Sequence, residues 1–219
     1  MSRKALLFLL IPSPFLALLL AWLGFATLRR NLLGWVLLLV GAGFAIGLPL
    51  LFLRQKSAPS AAQEERGDRS FWLILPGFLL IFFGPPLEFL ILPETLPRSA
   101  AMQAGGILLI IAGFALRFWT RLAIRELYSG HVEVQETHRL VQAGPYRYIR
   151  HPGYAGFLLM ALGLSVGYSS LIGLAAIPLL LLPGLAYRMK VEEKLLNAHF
   201  GDEFQQYRAK TWRIIPGLW

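Results

Sequence analysis

Long apolar tracts alternate with short polar ones along this chain, and the alternation predicts its elements. Residues 5–28 form an apolar run preceded by Arg3 and Lys4, and Arg29, Arg30 and Asn31 separate it from a second run, residues 32–53. At about 1.5 Å per residue each run is long enough to cross a hydrocarbon core about 30 Å thick, and so short a connection makes the two antiparallel. The first run is too long for a signal peptide and lacks a small-residue cleavage site, so it reads as a membrane helix whose early turns Pro12 and Pro14 kink. Residues 54–70 (RQKSAPSAAQEERGDRS) read as a solvated loop. A third span covers 71–92, where Pro85-Pro86 predict a kink or an early exit and Glu88 reads equally as a carboxylate within the bundle or one at the interface. A fourth covers 99–119, with Ala101, Gly105 and Gly106 small enough for close helix contact. Arg117, Arg121 and Arg125 follow on one helical face and read as snorkelling anchors. Residues 131–135 (HVEVQ) read as a short extended segment. The run 155–187 would measure about 50 Å as one helix, too long for a single crossing, and Gly167-Tyr168-Ser169-Ser170 offers a turn at its middle. The expected fold is all-α: a multi-pass transmembrane bundle of about six spans, the last two a helical hairpin. It divides into N-terminal membrane helices (1–98) and a C-terminal core (99–219).

Composition supports this reading, since hydrophobic residues make up 56% of the 219 residues and charged ones 15%, which a soluble domain does not bury. The net charge of +9 does not point to nucleic acid, because no compact basic domain remains outside the spans. Six spans place the first residues, the loop 54–70, the region 121–151 and the segment after 187 on one side, together with nearly all Lys and Arg; the opposite side keeps Arg29, Arg30 and Arg98. The positive-inside rule then puts both termini in the cytoplasm. The absence of cysteine excludes disulfides, thiolate zinc sites and a cysteine nucleophile. His131, His138, His151 and His199 fit no HxxxH or HExxH spacing, so no metal is expected. No G-x-S-x-G elbow, P-loop or Rossmann glycine pattern is present.

Two polar stretches beside apolar sequence carry the candidate chemistry. The first is THRLVQAGPYRYIRHPGY, residues 137–154; the second is YRMKVEEKLLNAHFG, residues 187–201. Polar residues next to a bilayer are costly and therefore point to function. Gly144-Pro145 and His151-Pro152-Gly153 mark turns that expose backbone donors and acceptors, and Tyr146, Tyr148 and Tyr154 add rings and hydroxyls. Arg188 and Glu192 share a helical face, which is equally the pattern of an ordinary surface salt bridge.

GPYRYIRHPGY preceded by HRLV, and YRMKVEEKLLNAHFGDEFQQY followed by Pro216, resemble the isoprenylcysteine carboxyl methyltransferase family and its phospholipid-methyltransferase-like relatives. The likeness covers about residues 131–216. It implies an integral helical enzyme that uses S-adenosyl-L-methionine, releases S-adenosyl-L-homocysteine, binds the cofactor in a cytosolic-side pocket and takes a lipid-like or prenylated acceptor from the bilayer. Carried over by motif, His138, Arg139, Leu140 and Val141 correspond to the segment that holds the cofactor, and Tyr146, His151, Pro152, Gly153 and Tyr154 to the rest of that wall. Glu192 corresponds to the carboxylate at the cofactor's polar end and Arg188 to the substrate-facing residue, while a family glutamine has its counterpart at His131 or Gln135. Methyl transfer to a carboxylate needs orientation and no strong base, whereas an amine acceptor needs one, with Glu193 or His151 as candidates. The competing readings are phospholipid amine methylation, a membrane reductase of the sterol-reductase type, and a non-catalytic membrane protein whose basic segment binds anionic lipids or a partner.

Overall fold

The computed structural model describes residues 12–40, 42, 70–92, 96–125 and 140–219. The solvated loop, the extended segment 131–135 with its His131 and Gln135, and the cofactor candidates His138 and Arg139 lie outside the described residues. Those described are helical, with one isolated parallel bridge between Ile149 and Trp212. We label the helices α1 (Pro12–Leu28), α2 (residues 34–40), α3 (Ser70–Ile91), α4 (Ala100–Arg125), α5 (Pro152–Gly167), α6 (Leu171–Phe200) and α7 (Asp202–Lys210). Leu73–Ile91, Ala100–Ile124 and Leu171–Phe200 are long and apolar enough to cross a membrane; the apolar stretches Ala17–Leu28 and Pro152–Gly167 are shorter. The chain is an integral membrane protein.

Helix α3 continues through Pro85 and Pro86 to Ile91 and does not exit early. Its neighbours hold it, since Pro85 is fully buried and a Cβ on Gly173 of α6 would lie 2.7 Å from Pro85 Cγ. Packing of this kind lets membrane helices tolerate prolines. Helix α4 runs to Arg125, beyond the expected end at Trp119.

Glycines set the helix contacts, as expected where lipid offers no hydrophobic drive between helices and close backbone approach supplies the attraction. On α4 and α5, Gly106 faces Gly163 and Gly113 faces Gly156, with hypothetical Cβ atoms 2.5–2.7 Å from the opposing carbonyl oxygens. Gly24 and Gly34 do the same between α1 and α2. Gly105, one position from the seam, would meet nothing. One apolar core joins Leu20, Leu23, Leu33 and Leu37 of the first hairpin to Phe82, Phe89, Ile110, Leu164 and Tyr168. A second, including Ile81, Leu181, Leu185, Met189, Ile149 and Ile214, reaches towards the polar stretches.

The run 155–187 is broken where expected. Ser169 takes φ 53°, and the Ser170 hydroxyl caps α6 by accepting from Gly173 N at 2.8 Å. Glu88, 4% exposed, finishes this turn: it accepts from the Ser170 hydroxyl, Leu171 N (3.1 Å) and Ile172 N (3.0 Å). A carboxylate across the first turn of a helix meets donors that have no partner within that helix. Asn31 Nδ2 donates to Gly167 O at 2.8 Å, the Thr27 and Tyr168 hydroxyls lie 3.0 Å apart, and the Ser169 hydroxyl donates to Pro97 O at 3.0 Å. Helix α6 contains a π turn, Ile177–Leu181, at Pro178 before it reaches Arg188.

Candidate active site

At the opposite end of the α5–α6 hairpin the two polar stretches meet. The chain enters through a 3-10 turn, Gly144–Arg147, in which Gly144 has φ +58° and a Cβ would lie 2.9 Å from the Ala123 Cβ of α4. Both the left-handed backbone and the close approach require glycine there. Arg150 and His151 follow, and the His151 carbonyl accepts from Tyr154 N and Ala155 N at 3.1 Å as α5 begins at Pro152. Proline suits this position because no N–H is needed there. Arg117, expected as a snorkelling anchor, donates from Nη1 to Gly153 O at 2.9 Å.

Adjacent glutamates on α6 take different partners. Glu192 Oε1 accepts from the Tyr154 hydroxyl at 2.5 Å and from Arg188 Nε at 2.8 Å, and its Oε2 lies 3.4 Å from His151 Nδ1. Glu193 accepts from Arg150 Nε (3.0 Å), Arg213 Nε (3.1 Å) and Arg213 Nη2 (2.7 Å), with His151 Nε2 at 3.3 Å. The side chain of Glu192 is 30% exposed and that of Glu193 only 7%, so one carboxylate faces out and the other is enclosed. His151 stands between them with one ring nitrogen towards each, an arrangement that suits an imidazolium, which donates from both nitrogens. Burial opposes that charge, but the hydrogen bonds to and negative charge of Glu192 and Glu193 outweigh it and raise the His151 pKa above its ordinary value. Burial first, and then the charge of Glu192, raise the Tyr146 pKa as well.

His151, Tyr154, Glu192 and Arg188 are thus brought into one network. Tyr146 borders it, with its carbonyl accepting from the Tyr207 hydroxyl at 2.8 Å. Leu140 and Val141 are half-buried at the start of the described stretch, and Pro152 is buried. Among the described residues, a Cβ on Gly153 would meet only Thr120 Cγ2, at 4.0 Å. His199 stays apart, its ring edge against Phe200. Two members of the network, Arg150 and Arg213, are not among the expected residues, and Glu193, expected only as a candidate base, is enclosed by their guanidinium groups. Arg150 adjoins a motif residue, but Arg213 is far away in sequence and no local pattern marks it.

Residues 106–198, which include Arg150, His151, Tyr154, Arg188 and both glutamates, match the sequence model of the isoprenylcysteine carboxyl methyltransferase (ICMT) family. This segment of the chain is similar to that family. A probable protein-S-isoprenylcysteine O-methyltransferase of Oryza sativa subsp. indica is 29% identical over 131 residues, covering 59% of this chain and 68% of the rice protein. The protein-S-isoprenylcysteine O-methyltransferase of Schizosaccharomyces pombe is 29% identical over 160 residues, 68% of this chain and 60% of the yeast one. Protein-S-isoprenylcysteine O-methyltransferase A of Arabidopsis thaliana is 30% identical over 113 residues, 51% of this chain and 57% of its own. The two glutamates and the histidine that stands between them all lie within the matched segment.

Proposed function

We propose that the protein is an S-adenosylmethionine-dependent membrane methyltransferase that esterifies the carboxylate of a prenylcysteine or similar lipid-like acceptor. The observation that carries this reading is the polar network of His151, Tyr154, Arg188 and Glu192 inside the segment that matches the ICMT family. The donor set fits the cofactor: a partly exposed carboxylate suits its ammonium end, the Tyr146 and Tyr154 rings suit its adenine and sulfonium, and Gly153 offers a backbone with no side chain in the way. When bound, the cofactor supplies an already activated methyl group. Glu192 holds its amino end, oriented by the Tyr154 hydroxyl and His151. Leu140, Val141, Pro152 and Gly153 form the wall, and the family motif assigns the same role to His138 and Arg139, which lie outside the described residues. Arg188 would orient the acceptor carboxylate, and positioning of this kind supplies much of the acceleration of methyl transfer. The acceptor reaches the site from the bilayer, on the cytoplasmic side where the charge pattern puts both termini.

The state of the candidate bases supports a carboxylate acceptor over an amine. Glu193 is enclosed by two guanidinium groups, and His151 shares its ring nitrogens between two glutamates. Neither is free to take a proton from an ammonium, whereas a carboxylate nucleophile brings none to remove. Purified protein incubated with methyl-labelled cofactor and an N-acylated S-prenylcysteine should form a base-labile ester that releases volatile methanol. A base-stable product on a phospholipid amine would overturn the assignment of the acceptor. Saturable nicotinamide-cofactor binding without S-adenosylmethionine binding would overturn the reaction class. Glu192→Ala should abolish cofactor binding, while Arg188→Ala should raise the acceptor KM by a larger factor than the cofactor KM.

A further inference from the structure

The segment 211–219 is not an appendage. It runs back along the loop that delivers His151. Trp212 N donates to Tyr148 O at 3.0 Å, Arg150 N to Trp212 O at 2.7 Å, and His151 N to Arg213 O at 3.0 Å, which makes the parallel bridge at Ile149. Ile214, 3% exposed, packs in the core with Ile149, and Trp219 O closes the segment on itself by accepting from Ile214 N and Ile215 N at 2.9 and 3.0 Å. Arg213 spans both carboxylate oxygens of Glu193, a two-point pairing that fixes orientation as well as distance. The same carboxylate lies 3.3 Å from His151 Nε2. The chain of contacts therefore runs from Arg213 through Glu193 to His151, whose other nitrogen faces Glu192.

The geometry points to Arg213 as a positioning residue for the cofactor site, acting through Glu193 on His151. This rests on the methyltransferase reading for its kinetic consequence, though not for its structural one. Among the described residues Arg213 hydrogen-bonds Glu193 and neither Glu192 nor Tyr154, so its removal reaches the cofactor site through His151 and the loop. A lysine at this position keeps the charge but loses the two-point fork.

The test uses the full chain in lipid nanodiscs. Arg213→Ala and Arg213→Lys are compared with wild type for KM towards cofactor and acceptor, melting temperature, and amide hydrogen exchange over residues 146–154. Arg213→Ala should raise the cofactor KM about ten-fold, equivalent to about 1.4 kcal/mol, with the acceptor KM unchanged. Arg213→Lys should fall between it and wild type. Exchange over 146–154 should quicken in Arg213→Ala while α4 stays protected. The proposal is overturned if exchange in that loop is unaltered. It is also overturned if both variants weaken cofactor and acceptor equally in step with melting temperature, the pattern of a merely structural residue. A wild type that binds no cofactor while the loop still loosens in Arg213→Ala would count against the methyltransferase reading and for the positioning role.

Discussion

Two neighbouring glycines on α4 provide a controlled test of how the bundle is held. A Cβ on Gly106 would lie 2.5 Å from Gly163 O, 2.6 Å from Gly167 Cα and 2.7 Å from Gly167 N, all backbone atoms that no rotamer change can move aside. Restoring an ordinary 3.4 Å contact requires α4 and α5 to part by about 0.9 Å at that point, with loss of contact along the seam. Overpacking of this kind costs about 1–3 kcal/mol. Gly105→Ala meets nothing, so it keeps only the gain of replacing glycine in a helix, about 0.5–1 kcal/mol. Because Gly106→Ala carries the same propensity gain, the difference between the two variants isolates the clash, and Gly106→Ala should be the less stable by about 1–3 kcal/mol. Thermal unfolding of the two purified variants in one detergent, followed by tryptophan fluorescence, measures it. If Gly106→Ala melts at or above Gly105→Ala, the close glycine seam does not hold the bundle.

Glu88→Gln should lower the melting temperature, since a buried carboxylate accepting three hydrogen bonds loses charge assistance worth about 1–3 kcal/mol, yet cofactor affinity should not change because the turn it caps lies at the other end of the hairpin. The His151 pKa is raised, so its contribution is complete below the ordinary histidine value of about 6.5 and disappears as pH rises through the higher folded value. Glu192 and Glu193 from α6, Tyr154 from α5, and Arg150 and Arg213 surround this group, and the wild-type melting temperature should fall as pH rises through that interval while His151→Gln gives a flatter profile. The cysteine-free chain permits a direct test of orientation: with an impermeant maleimide, a single cysteine at Lys210 should react only in inside-out vesicles and one at Arg30 only in right-side-out vesicles.

Local patterns carried much of this structure in the sequence. The turn at Gly167–Ser170 was legible because an apolar run of 33 residues cannot cross once, and glycine with two serines names the break. The meeting of His151 with Glu192 was legible only through family motifs, because nothing in the spacing of 151 and 192 brings them together. Prolines in α3 predicted a kink or an early exit, and the helix runs on to Ile91 with Pro85 packed against Gly173. Glu88 was ambiguous because its partners are backbone donors of a helix more than eighty residues later. Arg213 was invisible for the same reason: its role depends on a return path that hydrophobic periodicity does not encode. Sequence periodicity reports which face is greasy, and the long-range polar contacts follow only once the helices are placed.

The glycine seam and the polar network are mechanically one device. Gly156 sits against Arg117 as well as Gly113, with a hypothetical Cβ 2.7 Å from Arg117 Cγ, and Arg117 in turn donates to Gly153 O. Gly153 lies in the first turn of α5, beside His151, so the spacing of α4 and α5 sets where the start of that helix stands relative to Glu192. Gly113→Ala therefore differs from Gly106→Ala in what it should change. Both force the seam apart, but Gly113 lies one step from the arginine that holds Gly153, while Gly106 lies towards the capped turn. At matched loss of melting temperature, Gly113→Ala should weaken cofactor binding by a larger factor than Gly106→Ala. Equal factors would mean that the seam stabilises the bundle without placing the site, and that the loop is positioned from the α6 and 211–219 side alone.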